Sequence, residues 1–285
     1  MRAPVNQDHI LSSDVHVIEP ARGLRLVDPT ELWRWRELFV ALMVRDVAVR
    51  YKQTAIGIAW VGLQPLAMVA IFTFLFEKVG NVPTGGLPYP LFAFAAMVPW
   101  QVFSKSLMEG SMTLISNRAL VTKVYFPRVL MPAAAVFAGA VDFAIMLVIL
   151  FGMMAWFGFV PGWQILLTPL LLVLALLTSL GVALWLSALH ILYRDVQIVL
   201  PFLAQIWLFL TPVLYPASVI PEQWRLLYAM NPMVTVTESF RWAVLGGATA
   251  PGTLMLVVST FTVFVILLSG IAYFRHVERE MADRI

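Results

Sequence analysis

The 285-residue chain has no cysteine. This excludes disulfides, thiol chemistry and thiolate metal sites. Histidine is scarce, with four residues and none in a metal-binding pair, so no metal is expected. Charge is scarce too: 12% of residues are Asp, Glu, Lys or Arg, against 61% hydrophobic, and the mean hydropathy is +0.86. A soluble domain carries about 25% charged and about 45–50% apolar residues. A water-soluble globule is therefore excluded, and an all-α integral membrane protein is expected. No G-x-x-x-x-G-K-[ST] phosphate loop occurs, nor any Gly-Lys pair, so the chain cannot cradle ATP in that manner. H-E-x-x-H and G-x-S-x-G are also missing, which removes the common zinc and serine hydrolase signatures.

What is present is long and apolar. Residues 1–27 mix Asp8, His9, Asp14, His16 and Glu19 with scattered apolar residues and read as a loosely ordered cytoplasmic tail. Residues 1–56 as a whole are too polar and too long for a signal peptide. Asp28, Pro29 and Glu31 form a helix-start signal of cap, first-position proline and capping-box acid. The segment 28–56 then reads as an amphipathic interface helix. Arg34, Glu37, Arg45 and Lys52 lie on one face, and Leu32, Trp35, Phe39 and Met43 on another. A span needs about 20 apolar residues. Six candidates follow within a transmembrane domain of 57–275, at 57–79, 89–107, 133–159, 164–189, 196–214 and 253–274, ahead of a cytoplasmic tail at 276–285. Residues 215–252 hold four prolines among many aromatics. They are too apolar for a solvated loop and too broken for a span, so short re-entrant or interfacial helices are expected between spans 5 and 6.

Orientation follows from charge. With both termini in the cytoplasm, sixteen of the nineteen Lys and Arg fall on the inner side, and only Lys78, Arg225 and Arg241 fall outside. The stretch SNRALVTKVYFPRVLMP (116–132) stands out, with Arg118, Lys123 and Arg128, two prolines and no acid between two apolar runs. It reads as an inner surface that another protein grips. Asp142 lies well inside the third span. Such an acid is costly and is a functional candidate by default. With no second acid or histidine nearby in sequence, a buried hydrogen-bonded Asp at a helix or dimer contact is preferred to a proton relay.

Four ordered blocks carry a resemblance. RDVAVRYKQTAIGIAWVGLQP (45–65), NRALVTKVYFPR (117–128), YRDVQIVLPFLAQIWLFLTPVLYP (193–216) and NPMVTVTESFRWAVLG (231–246) resemble the permease of ABC-2 type polysaccharide exporters, in pattern those that export lipid-linked O-antigen. The resemblance covers about 17–275. It implies a non-enzymatic half-transporter in the bacterial inner membrane. Two copies would pair with two separate ATPase subunits, which would bind ATP and Mg. Its cargo would be a lipid-linked polysaccharide, and its other contacts membrane lipids, with no nucleic acid.

The resemblance also suggests roles. Asn117, Arg118, Lys123, Tyr125, Phe126 and Arg128 would couple to the ATPase, with Arg194 and Asp195 of the second inner turn as a smaller contact; a topology signal, or a local Arg194–Asp195 pair, is the plainer reading. Sugar rings pack on aromatic faces while their hydroxyls take hydrogen bonds. Trp60, Gln64, Phe72 and Phe74 of the first span, and Phe202, Gln205, Trp207 and Phe209 of the fifth, are therefore candidates for the substrate path, against a lipid-facing aromatic belt. Trp224, Tyr228, Phe240 and Trp242 would close the outer mouth or anchor at the interface. Arg34, Arg36, Arg45, Arg50 and Lys52 would meet a lipid headgroup or pyrophosphate. The other cargo readings are capsule, teichoic acid, small lipids or drugs. The competing class is a polytopic glycosyl- or acyltransferase, for which paired acids or histidines at a membrane face are missing.

Overall fold

The computed structural model describes residues 29–52, 59–76, 83–246 and 250–284, and within these every regular element is helical. The helices are α1 (Pro29–Arg34), α2 (Arg36–Lys52), α3 (Ala59–Leu75), α4 (Tyr89–Ser116), α5 (Arg118–Lys123), α6 (Leu130–Phe137), α7 (Gly139–Trp156), α8 (Thr168–Leu192), α9 (Val196–Phe209), α10 (Glu222–Ala229), α11 (Pro232–Leu245) and α12 (Thr253–Arg284).

Among the described residues, four helical segments are long and apolar enough to cross a membrane: Tyr89–Ser116, Leu130–Trp156, Trp163–Leu192 and Thr253–Glu278. The apolar α3 and α9 are shorter, with 17 and 14 residues. Each contains a proline, Pro65 or Pro201, which removes a backbone donor from the helix. The expected second span, 89–107, is too short. The helix continues to Ser116 because Gly110, Ser111, Thr113 and Leu114 remain buried against neighbours. Residues 276–284, expected as a tail, continue α12. Residues 1–27, with His9 and His16, and the cap Asp28 lie outside the described residues, as do 53–58.

Helix α4 is the hub, packed against α3, α6, α7, α8, α9 and α11, and most of its first five turns are buried. Directions follow from side-chain pairings. Ser179 Oγ donates to Phe103 O at 3.2 Å, and Gly110 lies against Ala183, so α4 and α8 run parallel. Gly181 abuts Leu267, and Trp185 Nε1 donates to Ser269 Oγ at 3.1 Å while stacking on Tyr273, so α12 is parallel to α8. The C-terminal ends of all three helices emerge at one end of the bundle. By contrast, Gly139 meets Ser106 and Val136 meets Gly110, so the α6–α7 rod returns antiparallel to α4.

Among the described residues of 215–252 the chain forms short helical elements. Helix α10 is exposed along much of its length, whereas nearly every residue of α11 is buried. Asn231 caps α11 by accepting from Met233 N at 3.1 Å, Pro232 occupies its first position, and Gly246 closes it at φ +65°. A helix this buried needs a use for its polar groups. Arg241, fully buried, lies over the Phe92 ring at 3.7 Å. Its guanidinium donates to Glu238 Oε1 at 2.8 Å, Pro212 O at 2.7 Å and Val213 O at 3.2 Å. Glu238 in turn accepts from Ala217 N at 3.0 Å. One cation thus ties α11 to α4 and to the non-helical chain after α9, satisfying carbonyls that helix geometry leaves open.

Candidate coupling and translocation surfaces

At the end of the bundle where α4, α8 and α12 finish, the segment 117–128 forms a compact cap. Asn117 leaves α4 with its side-chain amide donating to Thr113 O at 2.9 Å, and α5 follows at once. Arg118 and Lys123 are exposed, and Tyr125 is 78% exposed. Phe126 points the other way: at 5% exposure it is part of the core. This corrects its expected role as a surface contact: the chain leaves α5 extended at Val124, and adjacent side chains of extended backbone point to opposite sides. Arg128 is held by the end of α12. Its backbone N–H donates to Glu278 Oε1 at 3.3 Å and its guanidinium to Glu278 O at 3.4 Å. Between the segment and α12 lies a groove of about 430 Å³ lined by residues 121–128, Arg275 and Glu278. Arg194 and Asp195 are exposed at the same end and form no ion pair with each other.

The expected substrate-path residues separate into two groups. Trp60, Gln64 and Phe74 of α3, with Phe202, Gln205 and Phe209 of α9, are exposed on the single chain, so neither glutamine turns its helix toward the protomer interior. Phe72 stacks on Phe76 at 5.7 Å between centroids. Trp207 is half-buried, packs edge-on to Phe103 at 4.9 Å and donates to Asn231 Oδ1 at 3.0 Å. Those two rings serve internal packing.

Of the outer-mouth candidates, Trp224 is exposed and Trp242 half-buried. Tyr228 shares a hydrogen bond of 2.9 Å with Tyr215, and burial, then this bond, pushes its hydroxyl above the usual tyrosine range. Phe240 is completely buried, edge-on to Phe143, and lines no mouth.

The basic residues before the first span also divide. Lys52 and Arg34 are exposed, and Arg36 is exposed over the Trp33 ring at 5.3 Å. Arg45 is paired with Asp46 at 2.7 Å. Arg50, expected at a headgroup, turns inward. Its Nη1 donates to Asp142 Oδ2 and its Nη2 to Glu109 Oε2, while Tyr51 O–H donates to Asp142 Oδ1. Lys105 Nζ adds a contact to Asp142 Oδ1 at 3.2 Å. Asp142 is buried, as its sequence position suggested, but its partners come from segments 37 to 92 residues away. Sequence reasoning missed Glu109, Lys105 and Tyr51. Lys105 and Glu109 are four apart in an otherwise apolar run, and that spacing on one helix face was the available signal.

A family model described as "ABC-2 type transporter" matches residues 37–245. The chain belongs to the ABC-2 type transporter family. This ABC-2 chain is 32% identical over 222 residues to the O-antigen export system permease protein RfbA of Myxococcus xanthus, covering 76% of this chain and 83% of that protein. It is 24% identical over 251 residues to the RfbA permease of Klebsiella pneumoniae, covering 87% and 94%. It is also 26% identical over 249 residues to the polysialic acid transport protein KpsM of Escherichia coli, covering 85% and 93%. The matched span runs from α2 to the end of α11 and includes the ion cluster, the cap at 117–128 and both exposed aromatic helices.

Proposed function

We propose that the chain is the membrane permease of an ATP-driven polysaccharide exporter, a transport subunit with no chemistry of its own. Two copies would work with two copies of a separate ATP-binding subunit in the bacterial inner membrane, exporting a lipid-linked glycan of O-antigen type. The sugar-polymer cargoes named for its relatives support that class, and capsule-type polymer is the second reading on the KpsM likeness. Six spans are proposed, with α3 and α9 completing the four long ones, both termini cytoplasmic and α2 at the membrane interface.

The observation that carries the assembly is the placement of the cap at 117–128. It is basic, free of acids, exposes Tyr125, and sits where α4, α8 and α12 end together. An exposed tyrosine among cations suits a protein partner better than a lipid surface alone. ATP and Mg would be held by the partner. Its closure on ATP would press on the cap and move α4. The permease would contribute differential contacts in two states. The exposed faces of α3 and α9, apolar with Gln64 and Gln205 interspersed, would meet the second copy and the polymer between them.

Purification from native membranes in mild detergent, with stoichiometry by mass spectrometry, tests this. An equimolar phosphate-loop ATPase, two and two, is expected. A chain that purifies alone, from a cell whose glycan export survives deletion of its gene, would sink the proposal.

A further inference from the structure

The Arg50 cluster is not used by the coupling cap or the exposed aromatic faces. It contains two cations, Arg50 and Lys105, and two anions, Asp142 and Glu109, in a site where the Asp142 side chain is 2% exposed and that of Arg50 14%. Charges at such depth are retained only when they are paired, because removing them from water costs several kcal/mol each. The pairing spans three elements. Arg50 closes α2, Lys105 and Glu109 sit on α4, and Asp142 sits on α7. Arg50 uses both terminal nitrogens, on two different helices. Helix α4 runs on from Glu109 to Ser116 and directly into the coupling cap, about 10 Å further along. On its other side, α2 ends at Lys52, and α3 begins at Ala59.

We infer that Arg50, Asp142 and Glu109 form an ionic latch that makes the end of α2 move as one body with α4 and α7, so that displacement of the cap reaches the first span. The inference rests on the proposed ATP-driven permease. Arg50 is in this view a positioning residue rather than a headgroup ligand. The two roles predict opposite effects of Asp142→Asn. Loss of the latch impairs transport, whereas release of Arg50 to bind an anionic headgroup preserves or raises it.

The test measures glycan exported per ATP hydrolysed in the complete complex carrying Arg50→Gln, Asp142→Asn or both. The double variant removes one charge of each sign and leaves Lys105 with Glu109, so it folds even where a single change strands a buried charge. Each single is expected to lose about tenfold in export per ATP, within the usual range of coupling free energies. The double should be no worse than Arg50→Gln alone, because both single changes already break the Arg50–Asp142 link. In parallel, spin labels at Val49→Cys and Ile115→Cys, both exposed positions on α2 and α4, report the distance between the helices in the full chain. The chain has no native cysteine to compete. A narrow distribution is expected in the otherwise unaltered chain and a broad one in the double variant. A double variant with unaltered export per ATP, an equally narrow distance, or an Asp142→Asn protein that exports as well as the unaltered chain overturns the latch. An unaltered complex without ATP-driven export, while the distances behave as expected, counts instead against the proposed function.

Discussion

Neighbouring residues can have opposite fates. Tyr125 and Phe126 are adjacent aromatics in the same basic segment, yet one is solvent-facing and the other is core. Tyr125→Ala should leave the permease as stable as before and lower ATPase capture and export, measured by co-purification yield and glycan flux. Phe126→Ala should cost roughly 3 kcal/mol of stability, the usual penalty for emptying a buried ring, and lower the unfolding temperature of the isolated permease. Equal effects of both changes on stability would refute the division of roles. Arg241 is a second case. In the sequence it is one of three cations that violate the inner-side bias. In the fold it is a fully buried tie between α11, α4 and the carbonyls after α9. Arg241→Ala leaves Glu238 and several carbonyls short of a donor and should destabilise by about 3–5 kcal/mol, read as loss of the monodisperse detergent-extracted protein. Full stability in that variant would show that water replaces the guanidinium.

At the scale of elements, close helix approach does the work that apolar burial does in soluble proteins. Lipid is as apolar as leucine, so packing and small residues drive helix association. Gly181 allows α8 and α12 to touch backbone to side: a Cβ there would lie 2.9 Å from the Leu267 backbone, which cannot yield as a side-chain tip does. Gly181→Val should separate the pair, weaken the Trp185–Tyr273 stack and cost about 1–3 kcal/mol. Thermal unfolding with tryptophan fluorescence checks this, and an unchanged midpoint would contradict it. Because α12 also holds Arg128 through Glu278, the same variant should loosen the coupling cap.

For the whole molecule, the question is which exposed apolar faces meet lipid. Helix α12 displays Leu254, Val257, Phe261 and Phe264 without a polar side chain as large as glutamine among them, whereas α3 and α9 interleave Gln64 and Gln205 with their rings. Single cysteines at Gln64, Gln205 and Phe264 in this cysteine-free chain distinguish the two. In the assembled transporter, a water-soluble maleimide should label the first two positions and leave Phe264→Cys unmodified. Labelling confined to Phe264→Cys would place the path on the opposite face.

Composition alone pointed to a membrane, because 12% charged residues cannot give a chain that is 61% hydrophobic a water-soluble surface. Hydropathy runs located α4, the α6–α7 rod, α8 and α12 to within a few residues at most ends, and four ordered motifs pointed to the ABC-2 family. Among these four, two ends were wrong for one reason: helix continuation past Leu107 and past Phe274 depends on neighbours that local pattern does not contain; the fifth expected span, 196–214, instead stops short at Phe209. Asp142 was legible as a buried acid, since its cost is written in the apolar run around it. Its partners were not, because Arg50, Lys105 and Glu109 meet it only once α2 and α7 close on α4. The inward turn of Phe126, the burial of Phe240 and the redirection of Arg50 were likewise decided by the tertiary structure. Local sequence fixes how apolar a residue's surroundings must be on average, while the direction of each side chain is set by whichever helix packs beside it.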